Sequence, residues 1–259
     1  MPEVTLNDIT LHYERSGSGP PLVLLHGLGS SSEDWEYQTP VLETGYDLVV
    51  PDFRGHGQTA KPAGPYRVTQ LSGDIVALIE TLGLSPAILV GISLGGMVAF
   101  QIAADRPDLV SRLVVINALP VFETTRISQR IQLAIRKVIT RRLSMEKIGN
   151  VLSKRLFPAP EMGEQRAKMV HRWSRNDKGA YEATFQAILE WEGVAAAMAE
   201  TNVPITVISS DLDYIPPEDK KPYLEAMPTA RSVIIADAHH GVPMEHPGRF
   251  NQVLLEALA

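Results

Sequence analysis

Gly91-Ile92-Ser93-Leu94-Gly95 is the stretch of this 259-residue chain best equipped for chemistry. It stands between Ala87-Ile88-Leu89-Val90, an apolar run that predicts a buried strand, and Gly96 to Ala104, whose small residues predict a helix. The strand has about one residue in which to become a helix, and that residue is Ser93. Such a turn drives Ser93 toward φ > 0, a strained state for a residue with a side chain. It also demands glycine at 91 and 95, where a Cβ would strike the neighbouring strand or helix. The serine hydroxyl then stands exposed at a helix N-terminus, where backbone N–H groups and the helix dipole favour an anion. A serine is a poor nucleophile at neutral pH, so it needs a base, and the base needs an orienting partner. The ordinary alternative is an N-cap serine in a glycine-rich turn, and the pentapeptide does not choose between them.

The elements that must position these groups alternate. Val4–Leu6 and Thr10–Glu14 predict an N-terminal hairpin about Asn7-Asp8. Pro21–Leu25 is a continuous apolar run fit for a strand covered on both faces, and Tyr46–Val50 is another. Apolar residues at 68, 71, 75, 78, 79 and 82 predict a helix stopped by Gly83. Leu109–Ile116, Val203–Ile208 and Ser232–Ala236 predict further strands. Strands alternating with helices predict a mainly parallel sheet with ligands beyond the carboxyl ends of its strands. His26, Ser93 and Asn117 all lie at such ends.

The pattern resembles the α/β-hydrolase family, whose nucleophile elbow is G-x-S-x-G. Four signposts carry the resemblance: His26-Gly27 at a strand end, Asp52-Phe53-Arg54-Gly55-His56-Gly57, the elbow, and His240. It covers nearly the whole chain outside residues 121–202 and implies an α/β fold with a mostly parallel central sheet flanked by helices. It also implies a Ser93, Asp213 and His240 triad in the chain order of this fold, with backbone N–H groups of Leu28 and Leu94 as the oxyanion hole. Asp213 follows from the family's G-x-x-D-x-hydrophobic-x-P pattern, with Ser210 where glycine is usual and Asp211 as the competing carboxylate. His240 follows from G-H-x(4)-E-x-P, since it alone has Glu245 five residues on and Pro247 seven on; His239 then takes the usual glycine place. His56 reads as a loop residue of a structural motif and His246 as a helix-start residue before Pro247.

From about Val121 to Asn202 no strand is legible, and a structureless loop of that length is uncommon in a compact domain. Helices are predicted over Ser128–Arg142, Met145–Leu156, Glu161–Arg175 and Gly179–Glu200, the last with a break near Gly193. The resemblance makes 121–202 a helical cap and 1–120 with 203–259 the core. Residues 126–178 hold 14 Lys/Arg against 4 Asp/Glu, a net of +10 in a chain of net −6. That excess reads either as a solvated surface or as attraction for anionic substrates or an acidic partner surface. Trp35, Ile92, Trp173, Trp191 and Val242 are the candidate substrate-pocket residues. Tyr181, Phe185 and Ile188 are further aromatic or apolar positions of the cap, pocket or core.

The composition narrows the partners. There is no cysteine, which removes disulfides and thiolate chemistry. The mildly acidic balance argues against a nucleic-acid binder, and no apolar run approaches a membrane span. No basic-then-apolar leader is visible, so a cytoplasmic monomer or homodimer is expected. No metal-ligand spacing is present, and no cofactor is expected. The reading is a serine hydrolase acting on a small to medium carboxylic ester or lactone through an acyl-enzyme. Other readings are a triad-containing ligand receptor with slow hydrolysis, or a C–C hydrolase, thioesterase or cofactor-free perhydrolase of the same fold.

Overall fold

The computed structural model describes residues 2–6, 8–124 and 126–259. Eight strands form one sheet in the order β1-β2-β4-β3-β5-β6-β7-β8. They are β1 (Glu3–Leu6), β2 (Ile9–Gly17), β3 (Pro21–Leu25), β4 (Asp47–Pro51), β5 (Ala87–Ile92), β6 (Val110–Ile116), β7 (Ile205–Ser210) and β8 (Ala230–Ile235). β2 runs antiparallel to both β1 and β4, and every other neighbouring pair is parallel. The expected hairpin is present, although its turn residue Asn7 lies outside the described residues. β2 runs longer than the hairpin requires because its second half pairs with β4.

The apolar runs of the central strands divide by parity, as the two-residue period of a strand demands. Val23, Leu25, Val49, Leu89, Leu113 and Val115 face a layer with helices α2 (Val68–Thr81) and α3 (Leu94–Asp105). Leu22, Leu24, Leu48, Val50, Val90, Val114 and Ile116 face the opposite layer, where α11 (Pro247–Leu258) packs. Each such side chain contributes about 2 kcal/mol by leaving water. Two one-turn helices, α1 (Thr39–Leu42) and α10 (Val242–Glu245), and α9 (Pro217–Ala226) fill the remaining connections.

Between β6 and β7 the described residues form helices and loops only. The helices are α4 (Ile127–Arg142), α5 (Met145–Leu156), α6 (Gly163–Ser174), α7 (Lys178–Leu189) and α8 (Ala195–Glu200). The long helix expected over Gly179–Glu200 is interrupted from 190 to 194. Gly193 has φ +81° and backs onto the Pro120 carbonyl, whose oxygen accepts from Val194 N at 2.7 Å. A satellite core of Met145, Ile148, Leu152, Phe157, Met169, Trp173, Tyr181 and Met244 joins these helices to α10. Among the described residues no helix is long and apolar enough to cross a membrane.

Candidate active site

Ser93 sits between β5 and α3 with φ 54° and ψ −116°. Holding a non-glycine residue there costs about 1–3 kcal/mol, so the surroundings must over-determine it. They do so through close packing. A Cβ on Gly91 would collide with the Gly95 carbonyl, and one on Gly95 with the Leu25 carbonyl. Ser93 N also donates to Ile116 O at 2.9 Å, and its own carbonyl receives Met97 N at 3.0 Å. The turn is thus tied to β6 on one side and to the first turn of α3 on the other. Among the described residues the backbone N–H groups of Leu28 and Leu94 donate to no protein acceptor. Leu94 is the first residue of α3, so its N–H carries the positive end of the helix dipole.

The loop after β3 is held by His26. This ring is fully buried; its Nε2 accepts from Phe53 N at 3.0 Å, so its proton resides on Nδ1, which donates to Gly27 O at 2.8 Å. Burial pulls its pKa below the ordinary value, consistent with that neutral form. Asp52 accepts from Ser32 N at 2.7 Å and Gln58 N at 2.8 Å, and Arg54 makes a buried two-point pair with Asp74 at 2.6 and 2.8 Å. These groups set the loop that carries Leu28. His56 is buried, with its pKa pulled down to about 3 by burial and the neighbouring His26, and it does not line the cavity described below.

Beyond β7, Asp213 Oδ1 lies 2.6 Å from His240 Nδ1 and also accepts from Tyr214 N at 2.7 Å. Its other oxygen, Oδ2, accepts from Lys220 Nζ at 3.0 Å, and both the Asp213 and Lys220 side chains are wholly buried. Burial alone would raise the Asp213 carboxyl, but the His240 and Lys220 contacts outweigh it and hold the pKa below the carboxylate range. Lys220 Nζ reaches Asn117 Oδ1 at 3.3 Å, while Asn117 Nδ2 donates to Ser210 Oγ at 2.9 Å and to His240 O at 3.1 Å. Asn117 ends β6 with φ 50°. It therefore fastens the acid-bearing loop and the histidine-bearing loop to one strand end.

The two adjacent histidines have different surroundings. His240 meets Asp213 and stacks on Tyr214 with ring centroids 4.6 Å apart. His239 instead is clamped by Glu245, which receives both its backbone N at 2.6 Å and its Nδ1 at 2.7 Å. Asp211 receives Asp237 N and Ala238 N, each at 3.1 Å, and thus holds the turn leading to His240 without touching its ring. His246 starts α11 and its Nε2 donates to Asp237 O at 2.9 Å.

Ser93 and His240 line one cavity of about 310 Å³, mostly apolar in its walls. Gly27, Leu28, Ile92, Asn117 and Tyr214 contribute from the sheet side; α4, α5, α6 and α7 contribute Leu133, Arg136, Arg155, Met169, Trp173 and Phe185. Among the described residues Ser93 Oγ and His240 Nε2 share no hydrogen bond; such contacts commonly tighten only around a bound substrate. Of the expected pocket residues, Ile92 and Trp173 line the cavity. Trp35, Trp191 and Val242 do not. Trp35 and Val242 belong to the core on the α11 face, and Trp191 is buried on the α2/α3 face with its indole N–H on Gln101 Oε1 at 2.8 Å. An aromatic or apolar residue near a motif is buried far more often than it lines a pocket, and only tertiary packing separates the two cases. Lys220 was invisible as a site residue, since a lysine in P-E-D-K-K-P reads as a solvated helix face; no local signal marks it.

A family model of the α/β hydrolase fold matches residues 20–136. The enol-lactonase of Burkholderia xenovorans LB400 superimposes with a TM-score of 0.89 at 27% identity, covering 99% of each chain. The chain has the α/β-hydrolase fold. Two curated hydrolases of Acinetobacter baylyi (strain ATCC 33305 / BD413 / ADP1) extend the similarity. The 3-oxoadipate enol-lactonase 2 is 25% identical over 97% of this chain and 94% of its own. The (E)-2-((N-methylformamido)methylene)succinate hydrolase is 26% identical over 96% and 94%. This α/β hydrolase therefore shares hydrolysis with its relatives at the level of reaction class.

Proposed function

We propose that this α/β hydrolase cleaves a small to medium carboxylic ester or lactone through an acyl-enzyme on Ser93, with residues 121–202 as a cap over the core. The observation that carries the reading is the buried Asp213–His240 contact of 2.6 Å beside a cavity that Ser93 also lines. Ser93 Oγ attacks the carbonyl carbon while His240 Nε2 takes its proton. The resulting oxyanion faces the N–H groups of Leu28 and Leu94, each worth about 3 kcal/mol in the barrier. Collapse breaks the acyl C–O bond, and His240 returns the proton to the leaving alkoxide. Water then attacks the acyl-enzyme with the same histidine as base, releasing the acid and restoring Ser93. Asp213 keeps the His240 proton on Nδ1 and offsets the imidazolium charge. In a lactone the leaving alkoxide and the acyl group are one molecule, so a cavity of modest volume suits it.

The test is turnover of p-nitrophenyl acetate, of longer p-nitrophenyl esters and of a set of lactones by the parent and Ser93→Ala. The expected outcome is steady turnover by the parent and a loss of about 10⁴-fold or more in kcat for the variant. Activity that survives Ser93→Ala overturns the acyl-enzyme reading.

A further inference from the structure

Two guanidinium groups line the cavity that holds Ser93 and His240, one from Arg136 on α4 and one from Arg155 on α5. Among the described residues neither forms an ion pair with a carboxylate. The contrast with Arg172 on the neighbouring α6 is direct: Arg172 pairs with Asp34 at 2.9 Å and with Glu36 at 2.9 Å. Arg136 rests instead among aromatic rings, with its guanidinium carbon 5.8 Å from the Trp173 and Tyr181 centroids and 5.7 Å from that of Phe185. It also donates to the Tyr181 hydroxyl. Burial pushes the Tyr181 phenol up to about 12, so the hydroxyl is neutral at physiological pH and leaves the Arg136 charge uncompensated. Arg155 lies 5.3 Å over the Tyr214 ring, the ring that stacks on His240, and donates to Gln132 Oε1 at 3.1 Å.

Stacking on rings holds a guanidinium plane in place while leaving part of its five-donor edge open. The carboxylates that reach the cavity are already engaged: Asp34 by Arg172, and Glu123 by the Tyr223 hydroxyl at 2.9 Å. The orientation of α4 points the same way. Its cavity face presents Gln132, Leu133 and Arg136, whereas its solvent face exposes Ile127, Ile131, Ile135 and Val138. A helix covering an apolar pocket for an apolar substrate would turn the isoleucines inward. This helix turns Arg136 inward while Arg130, Lys137, Arg141 and Arg142 stay exposed, and a cation partly walled by apolar atoms attracts an anion more strongly than the same cation in water.

Resting on the acyl-enzyme reading above, we propose that the substrate is an ester or lactone bearing a free carboxylate, and that Arg136 and Arg155 bind that carboxylate while Ser93 attacks the ester carbonyl. Charge-assisted, two-point contacts of this kind are what arginine makes best. An isosteric neutral group would leave the partly buried Arg136 without a counter-ion, while Arg155, which is exposed, would keep its water. Arg136 and Arg155 are then specificity residues, and the positive charge of residues 126–178 draws the anion toward the cavity.

The experiment compares mono-p-nitrophenyl adipate and pimelate with the p-nitrophenyl esters of the matching ω-amides. The parent is expected to favour the acids by tenfold or more in kcat/KM, with the preference falling as salt rises. Arg136→Gln and Arg155→Gln should each bring the acid-to-amide ratio toward one, and Arg136→Lys should restore part of it. The folded fraction cancels in that ratio, so partial misfolding of a variant does not blur the result. Calorimetric binding of the same compounds to Ser93→Ala gives a second readout that needs no turnover: the acids should bind at least tenfold more tightly than the amides. Equal handling of acid and amide by the parent, or equal loss on both in the arginine variants, overturns the carboxylate assignment and leaves the acyl-enzyme reading standing. Turnover that survives Ser93→Ala, with the acid preference in binding intact, overturns the acyl-enzyme reading and leaves the carboxylate site standing.

Discussion

On the sheet side of the cavity, Ser93, Asn117 and His240 stand on backbone tied down by main-chain hydrogen bonds and by the Asn117 side chain. Ser93 and Asn117 both occupy positive φ at strand ends, and a Cβ on Gly91 or Gly95 would collide with the carbonyl of Gly95 in α3 or of Leu25 in β3. On the helical side, Arg136 and Arg155 hang from long side chains, steadied by rings and a glutamine rather than by main chain. The first wall is specified by sterics that act within a few residues; the second by which helix face meets which neighbour. A rigid wall suits a reaction whose bond changes demand fixed geometry. An adaptable wall suits recognition, where a guanidinium on a flexible stem can meet carboxylates at different reach.

The comparison breaks most visibly if the two neighbouring histidines behave alike. His240→Ala should lower kcat by about 10³-fold or more, because the imidazole that meets Asp213 is lost. His239→Ala should cost under tenfold, since that ring serves Glu245 and the loop. Ester turnover by the two variants gives the answer, and a reversed order sinks the assignment of the base.

Stability should separate the walls next. Gly95→Ala pushes a methyl into the Leu25 carbonyl and should destabilise the fold by about 3 kcal/mol or more, or prevent folding. Gly163→Ala, at the start of α6, meets nothing closer than a flexible Arg166 nitrogen at 3.9 Å and should be neutral or slightly stabilising. Urea unfolding of both variants checks the pair.

A smaller effect than the loss of His240 or the Gly95 change is expected where the rigid wall depends on a side chain. Lys220→Met removes the ammonium group that donates to Asp213 Oδ2 and should lower kcat by about tenfold, with KM little changed. Its pH signature follows from linkage. Asp213 has a folded pKa below its unfolded one, so its contribution is complete above the unfolded value and is lost as pH falls through the folded value. Removing Lys220 raises the folded value, so acid unfolding of Lys220→Met should begin at a higher pH than in the parent.

Much of this was legible along the chain. The parallel strands announce themselves as apolar runs at Pro21–Leu25 and Ala87–Val90, since a strand covered on both faces has no polar side. The elbow is legible because its sterics are local. Of the helices over 127–200, Met145–Leu156 matches its predicted bounds, and the others differ by a few residues at ends where capping rather than periodicity decides. The choice of pocket residues was least legible: Trp35, Trp191 and Val242 look like ligand contacts by type and position but are filled in by the core.

Read alone, then, the chain dictates a strained serine between strand and helix, an order of strands and a charge excess in one segment. These follow from forces acting over one to four residues or from composition. It does not dictate that Lys220 turns inward onto Asp213, nor that α4 shows Arg136 to the cavity and Ile127, Ile131 and Ile135 to solvent. Periodicity creates two faces on a helix, but which face meets the site depends on every neighbour packed around it, and that information exists only in the folded molecule.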